Sequence, residues 1–73
     1  MSDAQTIYVE LIDEGVTAYR PVEATRDRDG SFRLPDEAPA DEVWRFEPGS
    51  RVVCELRDIG DTEPSLVAAR SAS

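Results

Sequence analysis

Val43-Trp44-Arg45-Phe46-Glu47-Pro48-Gly49-Ser50-Arg51-Val52-Val53-Cys54-Glu55-Leu56 is the stretch whose reading decides the fold. It holds the only tryptophan, one of the two phenylalanines and the only cysteine, with Pro48-Gly49 between two apolar segments. Pro-Gly punctuates a chain as a turn. The stretch therefore reads as two strands, 43–46 and 51–57, meeting at a tight turn, and as the centre of the core. In the second strand, period-two alternation puts Val52, Cys54 and Leu56 on one face. Arg51, Val53, Glu55 and Arg57 take the other.

Upstream, Thr6 to Ile12 reads as a strand with Ile7, Val9 and Leu11 on one face. Met1 to Gln5 is polar and expected to fray. Asp13-Glu14-Gly15 is a turn, and Val16 to Thr25 is a second strand. Pro21 cannot donate to a ladder, so it marks an edge or a bulge. Strict alternation from Val16, Ala18, Val22 and Ala24 aims Arg20 into the core. A bulge near Arg20-Pro21 would instead turn Tyr19 inward and Arg20 outward. Asp29-Gly30 signals a hairpin into a short strand, Ser31 to Leu34, with Phe32 and Leu34 inward. Residues 35–41, with two prolines and three acids, read as a loop, with room for one helical turn after Pro39. Asp58 to Pro64 is a turn or loop, and Ser65 to Arg70 a last strand. No segment shows a helical stripe. Short strands with turn signals about every ten residues predict an all-β domain. Closing the sheet removes exposed edges. The expected fold is a small SH3-like barrel of five or six antiparallel strands, ahead of an OB-type barrel, which needs a helix.

The segments Leu11 to Gly15, Tyr19 to Ala24, Glu42 to Ser50 and Val53 to Glu55 resemble a group of small uncharacterised bacterial proteins encoded as stand-alone chains. The resemblance spans about Ile7 to Val67 and implies no particular activity. Phe46-Glu47-Pro48-Gly49-Ser50 is also similar to the segment entering a strand in many SH3-like barrels, where the aromatic packs inward.

At 73 residues the chain is one domain, close to the lower limit for folding alone. Sixteen acidic against eight basic residues give a net charge of −8. That field repels phosphate backbones, so nucleic acid is not an expected partner. No apolar stretch approaches the ~20 residues of a membrane span, and no secretory pattern is expected at the start. Cys54, with no second cysteine to pair with, suits a reducing compartment, the cytoplasm.

All eight basic residues are arginine. Histidine and lysine are absent, which removes the commonest acid–base residue, the commonest metal ligand and Schiff-base chemistry. Asp27, Asp29 and Gly30 lack the twelve-residue ligand pattern of a calcium loop. No phosphate-binding glycine loop, Cys/His cluster or nucleophile–base pair is present. The expectation is a non-enzyme without a cofactor or metal.

The candidate interaction residues are Tyr19, Arg20, Pro21, Glu23 and Trp44. Trp44 with Tyr8 or Tyr19 could line an aromatic groove for a proline-rich peptide. In a domain this small, however, each large aromatic is worth more as core, and Trp44 and Phe46 are assigned there. Tyr19 is the aromatic expected to be exposed. Arg20 reads as an anion anchor at a bulge or as an ion pair across strands. Cys54, in the apolar register, is expected to be buried and inert. Two function classes follow: a protein-binding or regulatory module, able to form a homodimer, and an acidic decoy that covers the basic nucleic-acid-binding surface of a partner protein.

Overall fold

The computed structural model describes residues 4–12, 15, 17–60 and 62–72. Six strands follow in order: β1 (Ala4–Ile12), β2 (Ala18–Arg26), β3 (Phe32–Arg33), β4 (Val43–Trp44), β5 (Arg51–Arg57) and β6 (Ser65–Ser71). Among the described residues there is no helix, so none is long and apolar enough to cross a membrane. Ala4 and Gln5, expected to fray, belong to β1. Asp13, Glu14 and Val16 lie outside the described residues, as does Asp61; Gly15 takes the positive φ expected of that turn.

β1 and β2 pair antiparallel over eight residues, from Ala4 opposite Thr25 to Leu11 opposite Ala18. β2 passes to β3 through the Asp-Gly hairpin, whose turn is held by Gly30 N–H to Asp27 O at 3.1 Å. Asp29 steadies that turn by accepting from both the N–H and the hydroxyl of buried Ser31. β3 pairs with β5, β5 with β6, and β6 returns to β1 at Val67 opposite Tyr8. The result is a ring-like sheet, β1-β2-β3-β5-β6-β1, with β4 added to β1. The last pairing is parallel, where only antiparallel ones were predicted. Parity requires it: five strands joined by antiparallel steps bring the fifth back in the direction of the first.

The turn at Glu47-Pro48-Gly49-Ser50 forms as read. Ser50 N–H donates to Glu47 O at 3.1 Å, with Pro48 and a positive-φ Gly49 at the two central positions of a type II turn. The strands it joins do not pair with each other. β4 is two residues long rather than four and adds to β1, with Trp44 opposite Leu11. The turn is tied instead to the end of β3, by Leu34 N–H to Ser50 O at 2.9 Å and Gly49 N–H to Pro35 O at 2.8 Å. Residues 35–41 form the predicted loop, with one turn closed by Glu42 N–H to Pro39 O.

Ile7, Val9, Val22, Ala24, Phe32, Leu34, Trp44, Val52 and Ala68 form the core, with Leu11, Phe46, Cys54 and Leu66 packed against it. The inward assignments of β1, Phe32 and Leu34 hold. Leu56 is an exception: it shares the parity of Val52 and Cys54, yet it is 68% exposed, because β5 outruns the core. The expected bulge in β2 is also absent. The β1–β2 register runs unbroken through Pro21 opposite Tyr8. The irregularity falls on the β5–β6 ladder, where Val53 faces Arg70 and Cys54 faces Ala68, leaving Ala69 as the extra residue.

Candidate interaction site

With β2 regular, alternation sorts the five candidate residues onto two sides. Arg20 shares the parity of buried Val22 and Ala24 and lies opposite fully buried Val9. Tyr19 faces outward with Pro21 and Glu23, opposite Glu10, Tyr8 and Thr6 in turn. This reverses the orientation that a bulge would have given Tyr19 and Arg20.

The inward arginine is accommodated by a partner. The guanidinium of Arg20 donates to Oε2 of Glu42, and the Trp44 indole donates to Oε1 of the same carboxylate at 3.2 Å. β2 and β4 flank β1 on opposite edges, so the Arg20–Glu42 pair reaches over the inner side of β1 at one end of the ring. The Glu42 side chain is 6% exposed and that of Arg20 47%, so the carboxylate is the buried member. The hydrogen bond from Arg20, assisted by that from Trp44, holds the Glu42 carboxyl below the usual carboxylate range, although burial opposes the shift. The same bond raises the pKa of Arg20. Trp44 itself is 7% exposed and belongs to the core. Arg20, Glu42 and Trp44 thus form a structural clasp, and of the two readings of Arg20 the ion pair is the one formed, not the anion anchor.

The outer side has a different character. Tyr8 and Tyr19, both half-buried, line a cleft of about 590 Å³ with Thr17, Ala18, Asp58 and Ile59. Pro21 and Glu23 are exposed on the same face. The loop after β5 supplies Asp58 and Ile59, and Asp58 is steadied by accepting from Gly60 N–H at 3.0 Å. Glu10, also on this face, is ion-paired with Arg45 at 3.3 Å. Val67, buried but outside the core cluster, lies opposite Tyr8 and Glu55, so its side of β6 is the outer one.

A second cleft, of about 440 Å³, is lined by Arg28, Arg33 and Arg51 with Asp27 and Asp29. Both aspartates lie 3.8 Å from Arg51. Ser31 holds the Asp29 carboxyl below its ordinary range. Cys54 is half-buried, and desolvation pushes its thiol up to about 11. Among the described residues no three ligating side chains gather as a metal site would need.

Sequence reasoning did not single out Glu42, Asp58 or Ile59. Glu42 carried a usable signal: it stands two residues before Trp44, hence on the same face of an extended segment. Asp58 and Ile59 carried none, because their place depends on how the loop folds back over β1 and β2. No protein-family profile, curated protein or solved structure matches the chain.

Proposed function

We propose that the chain is a protein-binding module of the SH3-like barrel type, acting by recognition rather than catalysis. Its target is an extended, proline-containing segment that carries a basic residue. The observation that carries this reading is the presence of Tyr8 and Tyr19 in one cleft on the outer face of β1 and β2, with Ile59 and Asp58 completing it. Tyrosines give rigid, amphipathic contact area at low entropic cost. A polyproline-type ridge is already extended before it binds, so it loses little freedom on docking. Asp58 and Glu23, within a field of net −8, favour a positive neighbour and discourage an acidic one. Trp44 has no part in the groove, because its ring is in the core.

The acidic-decoy alternative needs one continuous carboxylate face. Arginines on β2, β3, β5 and β6 interrupt the acidic surface, and Arg45 sits against Glu10 beside the tyrosine cleft. That mixture favours the module.

The test is a titration of isotope-labelled protein with proline-rich peptides bearing arginine, followed by amide chemical shifts. Shifts at Tyr8, Thr17, Tyr19 and Ile59, weakened about tenfold by Tyr19→Ala, are expected. Shifts confined to another surface, or none at about 1 mM peptide, would overturn the proposal.

A further inference from the structure

We infer that the free edge of β5 pairs with the same edge of a second copy of this chain, antiparallel and centred on Leu56, to form a twofold dimer. β6 accompanies β5 from Val52 to Arg57, but β3 covers its other edge only at Arg51 and Val52. From Val53 onward, no strand among the described residues lies beside that edge. The backbone phase along it follows from two hydrogen bonds. Ser50 O accepts from Leu34 on the β3 side, and Arg51 O accepts from Ala72 on the β6 side. Backbone direction alternates along a strand, so Cys54 and Leu56 aim their N–H and C=O groups at the open edge. The side chain at the middle of this edge is Leu56, 68% exposed, flanked by Glu55 and Arg57. Within one chain these exposed charges pair with each other at 3.0 Å, Glu55 also meeting Arg70 at 3.4 Å.

Self-pairing about residue 56 places Leu56 opposite Leu56 of the second copy, in the position where two residues exchange both backbone hydrogen bonds. The neighbouring positions then bring Glu55 opposite Arg57 of the second copy, and Arg57 opposite its Glu55. These are non-hydrogen-bonded pairs, in which Cα atoms approach to about 4.5 Å and side chains lie closest. The other registers fail. Centring on Glu55 keeps the backbone phase, through Cys54 opposite Leu56 of the second copy, but sets that carboxylate against itself in a closely approaching non-hydrogen-bonded pair. Centring on Cys54 requires the edge of Val52, which β3 already occupies. One register therefore satisfies the hydrogen-bond phase, the charges and the exposed leucine together. β2, whose edge is also open over much of its length, differs in carrying Pro21, which lacks a donor. β5 has no proline, and its two charges complement their own copies. The contact uses an edge and the tyrosine cleft a face, and the two meet only at Asp58 and Ile59, which follow β5 and line the cleft.

Two short edges bury less than the roughly 1,200–2,000 Å² of a stable complex, so a dissociation constant of about 10–1,000 μM is expected. Sedimentation equilibrium of the full chain from about 10 μM to 1 mM covers that range. Glu55→Arg alone and Arg57→Glu alone each set like charges opposite one another twice per dimer, and each should raise the constant about tenfold. The double exchange, E55R with R57E, restores opposite pairing and should return the constant to within about threefold of the parent. Leu56→Asp, at an exposed position, should leave the melting profile near that of the parent and abolish the dimer. A monomer throughout the range would overturn the inference. So would a dimer indifferent to Leu56→Asp, or one that the double exchange fails to rescue.

Discussion

Replacing Trp44 with alanine tests whether the deciding stretch is scaffold. The indole is 7% exposed and packs in the core, opposite Leu11 on β1. A buried aromatic of this size removes about 150–250 Å² from water, which at about 25 cal/mol per Å² is about 4–6 kcal/mol. That is an upper figure, because unfolded chains already bury some apolar surface; buried Trp→Ala changes cost about 3–5 kcal/mol. For 73 residues the whole stability falls at about 4–11 kcal/mol. The substitution therefore removes about a quarter of the stability or more. With a urea slope of about 1 kcal/mol per molar, the midpoint should fall by about 3 M, or the folded baseline should vanish at 25 °C. Far-ultraviolet circular dichroism is the readout, since the fluorophore is the residue removed. Trp44→Phe keeps most of the apolar area and loses only the N–H donated to Glu42, so its midpoint should lie between the two. A Trp44→Ala midpoint within about 0.5 M of the parent would refute the core assignment. If Trp44→Phe were as damaging as Trp44→Ala, the hydrogen bond and not burial would carry the effect.

Three further outcomes are expected. Gly49 sits at φ +81°, and a Cβ there would lie 3.2 Å from Asp36 Oδ1; Gly49→Ala should cost about 1–2 kcal/mol and lower the melting temperature by about 5 °C or more. The folded Glu42 carboxyl is held below its ordinary value of 4.5, so its contribution is fully present above that pH and is lost as pH falls through the folded pKa. Acid melts of the parent should therefore steepen below about 4.5, and Glu42→Gln should be less stable at neutral pH but lack that share of the acid-side slope; identical slopes would count against the clasp. With its thiol pushed up to about 11 by burial, Cys54 should react with a thiol reagent at pH 8 about 100-fold more slowly than a free thiol, and a rate near the free one would contradict its packing.

What was legible in the sequence is what short-range rules govern. Period-two alternation placed Ile7, Val9, Phe32, Leu34 and Val52 inward because it depends only on local backbone geometry. The Asp29-Gly30 hairpin and the Pro48-Gly49 turn were legible because few residues suit those backbone angles. The misreadings are long-range. A turn says that the chain reverses, but which edge is free to receive the next strand depends on everything already placed, so β4 joined β1 and not β5. Alternation assigned Leu56 to the inner face correctly, but the core stops short of it where β3, which covers only Arg51 and Val52, gives β5 no neighbour on that side. Arg20 was the informative conflict. A bulge was a local remedy for an inward charge, whereas the chain supplies a carboxylate 22 residues away. The cleft of Tyr8 and Tyr19 likewise depends on the register that sets Glu10 opposite Tyr19, which no single strand encodes.

The ring's closure connects this folding account to the proposed interactions. An odd number of meandering strands closes through a parallel pair, and here that pair is a single position, Tyr8 with Val67. β3 contributes two residues between neighbours of nine and seven, so it covers one end of β2 and one end of β5. Those pairings lie at the C-terminal end of β2 and the N-terminal end of β5, and the uncovered lengths run away from β3 in opposite directions. A longer β3 would close both gaps, bury more backbone and leave no edge for a second copy. If Ser31 to Leu34 were redesigned so that this strand extended along β5 past Val53, the domain should gain stability and lose its self-association together. The outer-face binding at Tyr8 and Tyr19 should be unchanged, because those side chains stand on β1 and β2, and Asp58 and Ile59 follow the end of β5, beyond the redesigned strand. Loss of peptide binding in such a variant would mean that the dimer, and not the single domain, presents the tyrosine cleft.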